Sequence, residues 1–344
     1  MVLATEWRVS VNGTDASSAM NPYLVSIEVT DKAGGSSDTA TLEFDDTDGQ
    51  VRFPSKGSPV EIALEGVTVF KGVVDSAESS GSRGGVMTLS VSCKSVDKRG
   101  KAKQRLHKHK DDATLEEFLR DAAKEAGLSG VKVDKQLGAI KRAYWSTEGR
   151  SFLQLGQELA GELGATFKIQ GDTAVFAARG AGATPAGGTM PSVEATRPGN
   201  LLTWRISPKE TRPRYAKARV RYYDRKAAKW QTEDVEIGDA PGAPEVLDLP
   251  TAPRASKDHA KDHGRGRKAE SEREGGSGEV AILLDVAARA EGTCVLSGTR
   301  PGIDGTYRIE SVTHKVTRGS AETTLSLKQP QGGAGEDDRG ESEE

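Results

Sequence analysis

Apolar and polar residues alternate with a period of two through the N-terminal part of the chain. The pattern runs through Trp7, Val9 and Val11, then Val25, Ile27 and Val29, then Ala40, Leu42 and Phe44. It recurs at Val60, Ile62 and Leu64 and at Met87, Leu89, Val91 and Cys93. Side chains on a strand point alternately to its two faces, so each run predicts a short strand with one buried face. Asp46 to Gly49, Glu65-Gly66 and Gly84-Gly85 place turn formers between the runs. Short strands so regularly punctuated predict a barrel or sandwich.

The period then changes. Thr114 and Glu117 have capping-box spacing, Leu115, Phe118, Leu119, Ala122 and Ala126 share a helical face, and Gly127 follows. These features predict a helix. A second helix is predicted over 151–163, where Phe152, Leu155 and Leu159 share a face and Gly164 stands at the stop position. Thr166 to Ile169 and Ala174 to Phe176, separated by Gly171-Asp172, read as a hairpin. Arg179 to Pro198, rich in Gly, Ala, Thr and Pro, has the composition of a connecting segment.

Alternation resumes at Leu202, Trp204 and Ile206 and at Ala218, Val220 and Tyr222. It ends in strands over 280–284, 293–296, 306–312 and 323–327, with Pro301-Gly302 and Asp304-Gly305 as turns. Arg254 to Gly278 holds almost no large apolar residue, so periodicity leaves a solvent-facing helix and a disordered loop both open. The glycine-rich acidic end predicts a disordered tail. The expected fold is therefore mainly β with an α+β insertion. Its divisions are a β domain over 1–105, the insertion over 106–180, a linker over 181–200, a second β domain over 201–330 and a tail over 331–344.

Composition supports several small cores over one large one. The 344 residues are 35% hydrophobic and 5% aromatic, with 29% charged and 40 glycines. A net charge of −3 exerts no global pull on nucleic acid or anionic membrane, so any such contact must be local. Met1 to Asp15 lacks an apolar signal-peptide core and no stretch is apolar enough to span a bilayer, so a soluble product made in the cytoplasm is expected. Cys93 and Cys294 lie far apart and read as small strand-borne hydrophobes.

Candidate chemistry is sparse. His259 and His263, four apart, would share a helix face as a metal pair requires, but no third ligand accompanies them and a solvated surface is the simpler reading. Lys94 to Lys110 is strongly basic, with Lys98, Arg99, Lys101, Lys103, Arg105, Lys108 and Lys110 interleaved with His107 and His109. It offers phosphates a sequence-independent contact, but carries no aromatic for base stacking, and solvated charges or an acidic partner surface are the commoner explanation. Trp145, Trp204 and Trp230 are too dispersed to suggest one sugar-stacking face. Nucleophile-elbow, Walker and dinucleotide-binding signatures are absent. No catalytic, cofactor or metal residue is assigned, and a non-enzymatic protein is expected.

The run Leu296-Ser-Gly-Thr-Arg-Pro-Gly-Ile-Asp-Gly-Thr-Tyr-Arg-Ile-Glu-Ser-Val-Thr-His314 resembles the phage late control D family, the baseplate hub proteins of contractile tails. Thr323 to Leu327 is similar to that family's closing strand. Further similarity lies in Val11-Asn-Gly-Thr-Asp15, Leu24 to Asp31, Asp112 to Leu115, Phe152 to Gly156, Leu163-Gly-Ala165 and Val175 to Gly180. The resemblance implies two related β-barrels joined by a small α+β insertion and assembled as a homotrimeric ring, related to the hub domains of type VI secretion spike proteins. Such a ring joins a sixfold tail tube to a threefold central spike. The implied partners are the spike, the tube, other baseplate proteins, the tape measure protein and further copies of the chain. The implied location is the baseplate of a virion or tail-like particle, assembled in the host bacterial cytoplasm without membrane insertion. Arg254 to Gly278 departs from the resemblance, being more polar and glycine-rich than the helical connection expected there. Two other functions stay open on the residues, a peptidoglycan-binding or peptidoglycan-hydrolysing tail module and a sequence-independent nucleic-acid-binding protein.

Overall fold

The structure, a computed structural model, describes residues 5–34, 37–95, 100–170, 172–178, 190, 192–208, 216–237, 247–248, 253–335, 337 and 339. The first elements are β1 (Trp7–Val11), β2 (Thr14–Asp15), the one-turn helix α1 (Ser17–Met20), β3 (Leu24–Lys32), β4 (Thr39–Asp45), β5 (Pro59–Leu64), β6 (Val67–Ser80) and β7 (Thr88–Lys94). The alternation read from the sequence is realised: Ala40, Leu42 and Phe44 on β4, Val60, Ile62 and Leu64 on β5, and Leu89, Val91 and Cys93 on β7 all face one core. Asn12-Gly13 and Glu65-Gly66 join antiparallel neighbours with both residues at positive φ, the backbone that matches strand twist in a two-residue hairpin.

The central part contains β8 (His109–Thr114), α2 (Leu115–Glu125), β9 (Gly130–Val133), α3 (Lys135–Gly138), β10 (Lys141–Ser146), α4 (Phe152–Leu163), β11 (Ala165–Gln170) and β12 (Thr173–Ala178). Both long helices begin in capping boxes, Thr114 with Glu117 and Ser151 with Gln154, and α4 ends on Gly164 in the left-handed region. The predicted hairpin is present as the antiparallel β11–β12 pair, with β9 added in parallel. Phe118, Leu119, Phe152, Phe167 and Phe176 lie at the centre of a core belonging to this unit.

The last part contains β13 (Ser192–Thr196), β14 (Leu201–Ser207), β15 (Lys217–Asp224), β16 (Lys229–Glu236), β17 (Leu247–Asp248), α5 (Lys257–Arg273), β18 (Ser277–Leu283), β19 (Thr293–Ser297), β20 (Gly305–Thr317) and β21 (Ala321–Gln331). Part of the expected linker is thus a strand. Val193 and Ala195 alternate into the C-terminal core while β13 pairs in parallel with β19. Residues 181–189 and 191 of that linker lie outside the described residues, as do 336, 338 and 340–344 of the expected acidic tail; Ala334 packs against the C-terminal core.

Two separate barrels were the expectation, yet the described strands form no closed barrel. The N-terminal and C-terminal β regions join in one 13-stranded sheet of order β14-β18-β21-β20-β3-β4-β7-β6-β5-β1-β2, with β19 and β13 branching from β20. The cause is the length of β20. Its first residues, Gly305 to Arg308, pair with β19, and its last, Ser311 to Thr317, pair with β3. Val316 on the far end therefore packs in the N-terminal core.

Arg254 to Gly278, left open on the sequence, contains the 17-residue helix α5, capped by the Ser256 hydroxyl accepting from the His259 N–H. Its buried positions are Ala260, Gly264, Gly266 and Arg273, none of them a large apolar side chain. A Cβ on Gly264 would lie 2.3 Å from Val235 Cγ2, and one on Gly266 would lie 2.4 Å from the Glu162 carbonyl oxygen. The two glycines let α5 approach the β15–β16 hairpin on one side and α4 on the other more closely than any larger residue allows. None of the helices among the described residues is long and apolar enough to cross a membrane.

Candidate functional site

Two polar clusters fasten these parts together. The first lies where α4, α5 and β10 meet. Glu162 on α4 accepts from Arg142 Nη2 on β10 at 2.6 Å, and His259 Nε2 on α5 stands 2.6 Å from the same Glu162 oxygen, off the axis of a good hydrogen bond. Asp262 on α5 reaches Arg142 at 3.6 Å, and the Arg254 guanidinium lies 3.9 Å from the second Glu162 oxygen. Burial would push the Glu162 carboxyl up, but His259 and Arg142 outweigh it and hold the group at about 2. The Arg142 guanidinium also covers the Trp145 ring at 4.3 Å.

The second cluster sits where all three parts of the chain converge. Lys168 on β11 reaches Asp31 at the end of β3 and, at 2.7 Å, Asp38 just before β4. The other Asp31 oxygen accepts from the Ala290 N–H at 3.0 Å, in the segment after β18. One residue further on, Glu291 accepts from the Thr166 hydroxyl on β11 at 3.1 Å and from Arg273 at the end of α5 at 3.0 Å. The α+β unit is therefore held by paired charges contributed by both β regions. Its attachment is more polar than its own interior.

Both histidines lie on α5, one turn apart, but each is taken by a different partner. His259 faces Glu162, whereas both ring nitrogens of His263 lie 3.1 and 3.3 Å from the Arg254 guanidinium, a cation where a metal would need to sit. Burial, then Arg254, pushes the His263 imidazole down to about 4. In the basic run, Lys98 and Arg99 lie outside the described residues, Lys108 is paired with Glu125 and Lys110 with Asp121. Internal acids therefore neutralise part of the charge that phosphates would meet. Trp145 is buried against Phe118, while Trp204 and Trp230 are exposed on different sheets.

Surface features suited to assembly lie in the C-terminal part. β14 ends the long sheet, and among the described residues only β18 pairs with it. It exposes Leu202 and Trp204, with the Arg197 guanidinium 5.5 Å from the Trp204 ring. β16 is the outer strand of a three-stranded sheet, and its Trp230, 54% exposed, meets Tyr223 edge-on at 5.1 Å. Unpaired strand edges carrying exposed aromatic side chains are the surfaces that protein partners cover. The two polar clusters had no sequence signal, since their members are ordinary charged residues brought together over long separations. The exposed edges were legible only as strands.

No protein-family profile matches the chain. Over 200 residues, 57% of its length, it is 28% identical to the probable baseplate hub protein of Escherichia phage 186 and 27% identical to that of Escherichia phage P2. The matched stretch spans about half the length of these curated relatives, 50% and 51%. The fold is shared with the 43 kDa tail protein of prophage MuSo2 from Shewanella oneidensis, with a TM-score of 0.72 at 16% identity over 94% of this chain and 98% of that one. It is shared equally with the tail protein from Neisseria meningitidis MC58, with a TM-score of 0.70 at 13% identity over 95% and 97%. An Escherichia coli component of the type VI secretion system, itself described as similar to T4 tail proteins, aligns with a TM-score of 0.55 at 11% identity over 96% and 77%. The chain is a relative of the phage 186 and P2 baseplate hub proteins and carries the fold of phage tail proteins.

Proposed function

We propose that this protein is a structural hub of a contractile phage tail or tail-like particle, a homotrimer whose ring joins the sixfold tail tube to the threefold central spike. The observation that carries the reading is the relation to two baseplate hub proteins together with a tail-protein fold that extends over nearly the whole chain. The two β regions, continuous through β20 and β3, give each copy two units of wall, so three copies would present six. The exposed edges of β14 and β16 support assembly through main-chain hydrogen bonds. In this reading the chain performs no catalysis. Its work is to hold its neighbours, the spike, the tube and other baseplate proteins, in register within the particle. Sedimentation equilibrium and native mass measurement across a wide concentration range test the oligomer. A trimer is expected, and a monomer throughout overturns the ring. Incubation with purified peptidoglycan tests the non-enzymatic part, and release of soluble fragments would overturn it.

A further inference from the structure

The second polar cluster places two carboxylates on one ammonium. The Lys168 ammonium contacts two carboxylates, Asp31 and Asp38, and the side chains of all three are less than one-fifth exposed, at 12% for Lys168 and 17% for each aspartate. The two acids are not equivalent. Asp31 has a second support in the Ala290 N–H and feels the Arg289 guanidinium. Besides Lys168, Asp38 accepts only a long bond from the Lys32 N–H, at 3.3 Å. Of the other charged groups beside the cluster, the Lys32 side chain is exposed. Lys94, beside the start of β4, is paired with Asp75 at 2.7 Å, and Arg289 donates to the Val286 and Ala288 carbonyls. His314 on β20 is buried, with Nδ1 3.0 Å from the Thr323 hydroxyl, and burial pushes it down to about 4, so it stays neutral above that pH. The Arg289 charge stays on the Asp31 side of the cluster, and among the described residues Lys168 is the one side chain that forms an ion pair with Asp38.

We propose that Asp38 is the pH-responsive member of a clamp between the α+β unit and the N-terminal strands, and that this clamp grips harder in mild acid than at neutral pH. A proton taken up by Asp38 leaves one carboxylate opposite one ammonium, and the like-charge contact between Asp31 and Asp38 disappears. The thermodynamic direction agrees. Burial, together with the charge of Asp31, pushes the Asp38 carboxyl up to about 6 against the pull of Lys168. A carboxyl raised on folding binds its proton more tightly in the folded state. Its contribution is therefore fully present below its unfolded value of 3.8 and is lost as pH rises through about 6.

The test compares the full chain with Asp38→Asn by urea unfolding at pH 5 and pH 7.5. The other titrating groups are common to both proteins and cancel in the ratio of their unfolding constants. That ratio, wild type over variant, is expected to rise about tenfold from pH 5 to pH 7.5, and a ratio that does not change with pH overturns the proposal. A second measurement stands if the variant folds poorly. Carbon-detected NMR of wild-type protein labelled at the aspartate carboxyls, with Asp262→Asn as an assignment control, is expected to show one carboxyl titrating near pH 6. If every aspartate other than Asp262 has finished titrating below pH 5, the clamp has no acid-sensitive member.

Discussion

The glycine face of α5 gives one substitution opposite signs at two nearby places. Gly161 on α4 is exposed, and a Cβ there meets nothing within 4 Å; Gly266 on α5 lies across the same helix pair, where a Cβ would stand 2.4 Å from the Glu162 carbonyl oxygen and 2.8 Å from that of Gly161. Alanine in place of glycine inside a helix gains about 1 kcal/mol from backbone freedom removed in the unfolded chain, and that gain is common to both sites. At Gly161 nothing opposes it. At Gly266 the obstructing atoms are backbone, so no rotamer change clears them. Ordinary contact begins at 3.4 Å, so the helices must separate by about 1 Å, the difference between 3.4 and 2.4 Å. Overpacking of this kind costs about 1–3 kcal/mol. Separation also loosens the bonds from Glu162 to Arg142 and His259, placing the cost toward the upper end. Gly161→Ala is therefore expected to be about 1 kcal/mol more stable than wild type, and Gly266→Ala about 1–2 kcal/mol less stable. Urea unfolding followed by Trp145 fluorescence and circular dichroism reads both. A Gly266→Ala midpoint at or above that of Gly161→Ala would refute close helix packing as the reason for the glycine.

Glu162→Gln should lower stability at neutral pH by on the order of 3 kcal/mol, because it leaves buried Arg142 with only the longer contact to Asp262 at 3.6 Å. The wild-type contribution is present above the ordinary carboxyl value of 4.5 and lost as pH falls toward about 2, so the variant should lack that part of the acid dependence in an unfolding series between those values. Cys93 and Cys294 are buried, and burial pushes both thiols up to about 12, so a thiol reagent at pH 8 should label neither until the chain is unfolded; prompt labelling of either would contradict its placement in the core. Leu202→Lys on the exposed edge of β14 should leave the unfolding free energy within about 0.5 kcal/mol of wild type. If that edge is an assembly surface, the variant should weaken self-association at least tenfold in sedimentation. Unchanged association would move the interface elsewhere.

The sequence alone determined what depends on neighbours along the chain. The period-two alternation of β4, β5 and β7, the capping boxes of α2 and α4 and the left-handed Gly164 stop are local consequences of side-chain direction and backbone sterics, and all are present. Tertiary structure decided the remainder. α5 was invisible to periodicity because no large apolar side chain stands at its buried positions, and close approach, which carries no hydropathy signal, is what holds it. The two β regions share one sheet because β20 is long enough to pair with β19 at one end and β3 at the other, a choice of partner that alternation cannot express. The clamp of Asp31, Asp38 and Lys168 was equally hidden. Lys168 stands 137 positions from Asp31, and a lysine or an aspartate reads as a surface charge until folding removes the water around it and leaves each as the other's main partner.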